Sequence, residues 1–159
     1  MKNAKISWKI YLFWIALSEG IGLLAALFTR ENTILFGQTV VQPSFAPPPW
    51  LFPAVWTVLY ALMGVGAARV SQMPEGDDRS KALNIFVTQL IVNFFWSLIF
   101  FNAQAYGFAL LWLILLWLLI FWMIIAFYRV DKSASFLQIP YLLWVTFAGY
   151  LNYAIWKMN

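Results

Sequence analysis

The chain has 159 residues, of which 64% are hydrophobic and 10% charged, and its net charge is +4. Since a soluble domain carries about 25% charged residues, this composition excludes an ordinary water-facing surface and indicates a membrane protein. Cysteine and histidine are both absent, which excludes disulfides, the usual zinc, iron–sulfur and histidine-ligated haem sites, and catalysis built on those side chains. We therefore expect no metal site and no cofactor, and the lack of a basic stripe predicts no nucleic-acid binding.

A helix that spans the bilayer needs about 20 mostly apolar residues, and five segments reach that length. They cover residues 6–28, 50–70, 83–101, 107–128 and 136–156. The first segment is longer than the apolar core of about 7–15 residues in a typical signal peptide, so we interpret it as a retained helix. The sequence predicts an all-α integral membrane protein in which residues 1–159 form a single five-helix bundle.

The first connection, residues 29–49, ends in a cluster of prolines. Pro43 and residues 47–49 lie just before the apolar run LFPAVWTVLY. Because proline fixes φ and lacks a backbone N–H, the sequence predicts a stiff, extended segment here. This segment delivers Trp50 and Trp56 to the start of the second span, which predicts a rigid aromatic mouth for a flat, apolar ligand.

The later connections are a charged loop at residues 71–82, a very short turn at 102–106 and a second charged loop at 129–135. The short turn predicts that the third and fourth helices are antiparallel neighbours. Eight Lys and Arg residues lie on the side of the N-terminus and the two charged loops, against only Arg30 and Lys157 on the other side. This positive-inside bias predicts a cytoplasmic N-terminus, with the proline-rich loop and the C-terminus across the membrane.

Polar side chains within the spans form stripes together with aromatic ones. At helical spacing, one face of the third span, one of the fifth and one of the second combine amide or phenol groups with aromatic rings. The stripes are Gln89, Asn93 and Trp96; Tyr141, Trp144, Ala148 and Asn152; and Trp56, Tyr60 and Gly64. Such faces suit a planar ligand with a few polar edges. Alternatively, the amides only hydrogen-bond neighbouring helices, which is the commoner role for such a pattern.

Three further features have an open role or none. Glu19 is the only acidic residue deep in a span, which makes it a functional candidate unless it simply pairs with another helix. The Trp residues at every fifth position of the fourth span point in different directions, as packing or lipid-facing residues do. The run at residues 151–157 fits a loose sterol-contact pattern, but an interfacial helix end with Tyr153, Trp156 and Lys157 explains the same residues.

Three ordered motifs carry a family resemblance. They are PSFAPPPWLFPAVWTVLYALMG at residues 43–64, NFFWSLIFF at 93–101 and PYLLWVTFAGYLN at 140–152. With its five apolar segments, the chain resembles the tryptophan-rich sensory protein/translocator protein family (TspO/MBR, peripheral-type benzodiazepine receptor-like) over nearly its whole length. The resemblance implies a five-helix bundle whose first loop folds over a ligand pocket. Family members bind porphyrins and related tetrapyrroles, and some bind benzodiazepine-type drugs and sterols.

Carried onto matching positions, the resemblance implies a pocket that largely coincides with the three stripes. Its residues would be Pro47, Trp50, Trp56, Tyr60, Gln89, Asn93, Trp96, Trp144, Phe147, Ala148 and Asn152. Two positions depart from the family. Gly149 stands where relatives often have Thr, which loosens the helix locally. Bacterial relatives can form a homodimer through small residues of the third helix, whereas residues 83–101 contain no Gly or Ala, so a homodimer through that face stays open.

The resemblance therefore implies a membrane protein that binds porphyrin or another tetrapyrrole for sensing, transport or regulation. The ring would lie against Trp56 and Trp144, with Gln89 and Asn93 at its polar edges. Free-base porphyrin would be favoured over haem, because the chain has no histidine or cysteine to ligate iron. Two alternatives stay open: light- or oxygen-dependent porphyrin degradation with Trp56 and Trp144 in electron transfer, and transport of membrane lipid or sterol.

Overall fold

The computed structural model describes residues 6–159, which form six α-helices and one π-helical turn. The α-helices are α1 (Trp8–Thr39), α2 (Leu51–Ser71), α3 (Asp77–Ser97), α4 (Tyr106–Val130), α5 (Lys132–Phe136) and α6 (Ile139–Met158), and the π-helical turn, Leu98–Asn102, continues α3. Five stretches are long and apolar enough to cross a membrane: α1, α2, α3 with its π-helical turn, α4, and α5 with α6. The prediction of an all-α, multi-pass membrane protein is thereby confirmed.

The first helix is longer than the sequence predicts. Residues 29–49 were expected to form a loop, but α1 continues to Thr39. Its 32 residues extend over about 48 Å, which exceeds the hydrocarbon core of about 30 Å. No proline interrupts these extra turns, and they are tied to the π-helical turn, since Asn32 Nδ2 donates to Asn102 Oδ1 at 2.8 Å. The proline-rich connection is therefore confined to residues 40–50.

The third helix also starts earlier than the sequence predicts, at Asp77 rather than at residue 83. Asp77 and Asp78 occupy its first turn, where carboxylates stabilise the positive end of the helix dipole. After the π-helical turn, Gln104 has a φ of 51° and the chain reverses into α4. The short connection makes α3 and α4 antiparallel neighbours that pack along each other.

The last span is divided into α5 and α6, where the sequence predicts one helix over residues 136–156. Asp131 begins α5, and its Oδ1 accepts a hydrogen bond from the Ala134 amide at 2.8 Å. The Asp131 Oδ2 also lies 2.9 Å from Nη2 of Arg69 on α2. Burial opposes ionisation of Asp131, but the hydrogen bonds from Ala134 and Arg69 lower its pKa below the ordinary value. The carboxylate is therefore charged, and it ties the start of α5 to α2.

The helix α6 is held in the bundle differently from the others. The backbones of α1 and α2 approach closely at Gly64, which lies against the backbone of Ile15. The helix α6 packs along α4. Between α6 and both α2 and α3, however, long side chains bridge the distance, as Tyr141 does toward Asn93 and Trp144 does toward Phe52. The candidate site lies in this space filled by side chains.

Candidate functional site

A buried amide–phenol triad joins α3 to α6. The Tyr141 hydroxyl accepts a hydrogen bond from Asn93 Nδ2 at 2.7 Å and donates one to Gln89 Oε1, also at 2.7 Å. All three side chains are at most 1% exposed. Gln89 Nε2 in turn points to Met63 Sδ of α2 at 3.8 Å. The two amides thus hold neighbouring helices together, which is the role that the sequence pattern left as the alternative to ligand contact.

Aromatic rings lie beside this triad. The Trp56 ring centroid is 5.6 Å from that of Tyr60 and 6.2 Å from that of Tyr141, the latter pair edge to face. One turn along α6, the Trp144 ring lies 5.8 Å from the Phe52 ring. These side chains give α2 and α6 facing aromatic surfaces, and the rings of Trp56 and Trp144 are only partly buried.

The indole N–H of Trp144 is buried and has no hydrogen-bond partner among residues 6–159. A buried donor without an acceptor costs about 1–3 kcal/mol, so the nitrogen is a ready donor for an acceptor group from outside the chain. The Trp144 ring also lies 5.4 Å from that of Phe147. Phe52, Trp144 and Phe147 therefore form an aromatic surface with one unused polar atom.

Tyr60 packs against α1 rather than only against its own helix. Gly22 faces the Tyr60 ring so closely that a Cβ at that position would collide with it. Ser18, on the same face of α1, is fully buried. Glu19 is next to this face and remains partly exposed, and its role stays open.

Trp96 and Asn152 belong to a second cluster, nearer the end of the bundle where α3 turns into α4. Trp96 Nε1 donates to Asn152 Oδ1 at 3.3 Å, and Asn152 Nδ2 donates to the Tyr106 carbonyl at 2.9 Å. The Trp96 ring stacks on Phe100 with the centroids 5.2 Å apart. The Phe36 ring of α1 packs on Phe100 as well. In this cluster the polar side-chain groups of Trp96 and Asn152 are hydrogen-bonded within the bundle, whereas the buried Tyr106 hydroxyl has no partner among residues 6–159.

The proline-rich connection is tied to α6 at two points. The Val41 amide donates to Asn159 Oδ1 at 3.0 Å, and Asn159 Nδ2 donates back to the Val41 carbonyl at 2.9 Å. The Phe45 ring stacks on Tyr150 at 5.0 Å. Pro47 is partly buried, whereas Trp50 is 68% exposed. The connection thus lies along the second half of α6.

The structure brings only part of the predicted set together. Trp56, Tyr60, Gln89 and Asn93 meet around Tyr141, and Trp144 and Phe147 meet around Phe52, while Trp96 and Asn152 form the second cluster and Trp50 points outward. Ala148 is buried on α6. The helical pattern places Tyr141 on a stripe but not in the predicted site, and Phe52 and Asn159 are not among the predicted site residues. Phe52 is one helical turn before Trp56, so helical spacing could have found it, whereas the contact of Asn159 with Val41 has no signal in the sequence.

The tryptophans of α4 contact other helices or face outward. Trp112 Nε1 donates to the Val92 carbonyl at 2.7 Å, and Trp117 Nε1 donates to Thr146 Oγ1 at 2.8 Å. Trp122 is 59% exposed. No site role follows for these three residues.

An open, charged cleft of about 500 Å³ lies at the end of the bundle where α2 meets α3. It is lined by the α2–α3 loop, the first turns of α3 and the end of α4, and no predicted site residue borders it. Its charged side chains are Asp77, Asp78, Arg79, Lys81 and Arg129. The cleft is therefore a separate feature from the candidate site.

Comparison with known proteins agrees with the motifs. Residues 13–157 match the profile of the TspO/MBR family. The chain is 39% identical to the tryptophan-rich protein TspO of Chlorobaculum tepidum over 146 residues, which cover 91% of this chain and 92% of the relative. It is 32% identical to the tryptophan-rich sensory protein of Cereibacter sphaeroides, covering 97% and 94%, and 31% identical to the translocator protein of Bos taurus, covering 87% and 83%.

Proposed function

This chain belongs to the TspO/MBR family, and we propose that it binds a porphyrin or related tetrapyrrole between α2 and α6. The observation that carries the proposal is the unpartnered, buried indole N–H of Trp144, whose ring packs edge to face against Phe52 of α2. A flat macrocycle offers a large aromatic face for stacking. Its carboxylate or pyrrole nitrogen offers the acceptor that Trp144 lacks.

The proposed binding mode follows from how α6 is held. Because side chains rather than close backbones separate α6 from α2, the rings of Phe52 and Trp144 can move apart without unpacking either helix. The triad of Gln89, Asn93 and Tyr141 forms the floor of this space, since its hydrogen bonds are internal. The two amides then shape the pocket, and they meet a ligand only if Tyr141 turns away.

The binding test is a titration of purified protein in detergent with free-base protoporphyrin, read from the porphyrin absorption band. We expect saturable binding of one equivalent by the unaltered chain. Trp144→Phe keeps most of the ring surface but removes the donor, so it should weaken binding about tenfold, the effect of one hydrogen bond worth about 1.4 kcal/mol. The matched control is Trp122→Phe, because Trp122 is exposed and lies on α4.

Two outcomes contradict the proposal. One is equal affinity of Trp144→Phe and Trp122→Phe, which would separate the ligand from the α2–α6 space. The other is tight haem binding without any binding of free-base porphyrin. The chain offers no histidine or cysteine as an axial ligand, so the proposal expects the free-base form to bind. Helical content by circular dichroism shows that each variant remains folded.

A further inference from the structure

An apolar groove of about 240 Å³ lies between the end of α4 and the α5–α6 joint. Its walls include the side chains of Ile125, Phe136 and Ile139 and the ring of Tyr128. The hydroxyl of Ser135, which also borders the groove, donates to a backbone carbonyl of α4 at 2.7 Å. The groove therefore offers dispersion contacts to an apolar chain and few hydrogen bonds to a polar ligand.

One cation lines this groove, and a second lies beside one of its walls. Arg129 is the only charged residue among those that line it, and Lys132 follows closely, with its Nζ 5.3 Å from the centroid of the Tyr128 ring. Asp131 lies between them in the sequence, but it pairs with Arg69 at 2.9 Å. That pair is the only salt bridge within residues 6–159. Arg129 and Lys132 are thus left without an acidic partner in the described chain.

Arg129 also borders the charged cleft on its other side. The acids of that cleft, Asp77 and Asp78, lie in the first turn of α3, where the helix dipole accommodates their charge. An anion that approaches Arg129 is therefore better placed on the groove side, toward Lys132, than on the side of the two carboxylates.

From this arrangement we propose that the groove binds an anionic glycerophospholipid. One acyl chain lies against Ile125, Phe136 and Ile139, and the phosphate accepts hydrogen bonds from Arg129 and Lys132. Basic residues beside apolar grooves between helices are the usual recognition elements for anionic lipid headgroups. A free anion would gain nothing from the apolar walls, and a zwitterionic lipid would bring a cation of its own toward Arg129 and Lys132.

The proposal is tested by native mass spectrometry of protein released from nanodiscs that contain equal amounts of phosphatidylglycerol and phosphatidylcholine. The unaltered chain is expected to retain one phosphatidylglycerol selectively. The double variant Arg129→Gln/Lys132→Gln should lose about 25-fold in this selectivity, since each cation near the headgroup contributes about fivefold. Lys157→Gln is the matched control, because Lys157 also lies over an aromatic ring, at 4.3 Å from the Trp156 centroid, but at the other end of the bundle.

A second variant tests the groove without changing any charge. Ile125→Trp fills the space that the acyl chain would occupy and should also reduce the retained phosphatidylglycerol. Retention of phosphatidylglycerol by Ile125→Trp at the level of the unaltered chain would overturn the proposal, because the lipid would then be held by surface charge alone. Equal loss in Lys157→Gln and in the double variant would overturn it too, as would equal retention of both lipids by the unaltered chain. Circular dichroism verifies the fold of each variant.

Discussion

The hydroxyl of Tyr141 makes two hydrogen bonds: it accepts one from Asn93 and donates one to Gln89. In a bilayer no bulk water replaces a lost partner. The hydroxyl therefore fixes the distance between α3 and α6 at the depth of the candidate site. It also places the Tyr141 ring edge-on against Trp56, so the packing of the bundle and the shape of the proposed pocket depend on the same side chain.

Removing this hydroxyl should destabilise the bundle. Tyr141→Phe leaves the Asn93 donor and the Gln89 acceptor without their partner, and hydrogen bonds between membrane helices contribute about 0.6–1.7 kcal/mol each. We expect a lower midpoint temperature of thermal unfolding in detergent for Tyr141→Phe than for Tyr128→Phe. Tyr128 is 47% exposed and serves as the control. Equal midpoints for the two variants would show that the triad does not stabilise the fold.

Helical periodicity predicts this triad only in part. A four-residue spacing places Gln89 and Asn93 on one face, and a three-residue spacing places Tyr141 and Trp144 on another. An amide carries a donor and an acceptor, so it can serve a ligand or a neighbouring helix equally well. Which of these it serves depends on the distance between α3 and α6, and that distance is set by side chains from other helices that periodicity does not describe.

At the scale of elements, α1 shows that an apolar run and a helix can end at different residues. Hydropathy ends the first span where polar residues begin, near Arg30, because the bilayer core is about 30 Å thick. The backbone hydrogen bonds of a helix do not need lipid, however, and α1 continues while Phe36 packs on the second cluster at Phe100. The prolines of the connection, by contrast, act through local geometry, and they keep it out of a helix as the sequence predicts. The connection is not extended throughout, however, because the Ala46 amide donates to the Pro43 carbonyl and the Leu51 amide to the Pro48 carbonyl, each at 3.0 Å, which makes two turns.

The two hydrogen bonds between the Asn159 side chain and the Val41 backbone should limit the mobility of this connection. In Asn159→Ala the Val41 amide loses its acceptor, so we expect faster hydrogen–deuterium exchange in peptides that cover residues 40–46. If the connection retains a bound ligand, protoporphyrin should also dissociate faster, by about fivefold for a net loss near 1 kcal/mol. Gln38→Ala, which removes an exposed amide from the last turn of α1, is the control. Unchanged exchange in Asn159→Ala would show that these two hydrogen bonds do not hold the connection.

Over the whole molecule, the Lys and Arg residues are distributed unequally between the two ends of the bundle. The structure places six of the predicted cytoplasmic cations at the end where α2 meets α3 and α4 meets α5, and it places Arg30 and Lys157 toward the opposite end. The six are Lys9, Arg69, Arg79, Lys81, Arg129 and Lys132; Lys2 and Lys5, which complete the predicted count, lie outside the described residues. Five apolar spans and this asymmetry were predictable, because both follow from summed hydropathy and charge. The separation of α5 from α6 was not predicted, because the apolar run continues across it; the chain turns at residues 137–138, and Pro140 lies in the first turn of α6.

The charge asymmetry predicts that the end bearing the cations faces the cytoplasm, because translocating Lys and Arg across the membrane is unfavourable during insertion. The chain contains no cysteine, so single cysteines can be labelled without background. Gln38→Cys and Ser80→Cys place thiols at exposed positions of opposite ends. In spheroplasts, a membrane-impermeant maleimide should label Gln38→Cys, whereas Ser80→Cys should react only after lysis. The reverse pattern would invert the orientation, and it would place the proposed groove for the anionic lipid in the outer rather than the cytoplasmic leaflet.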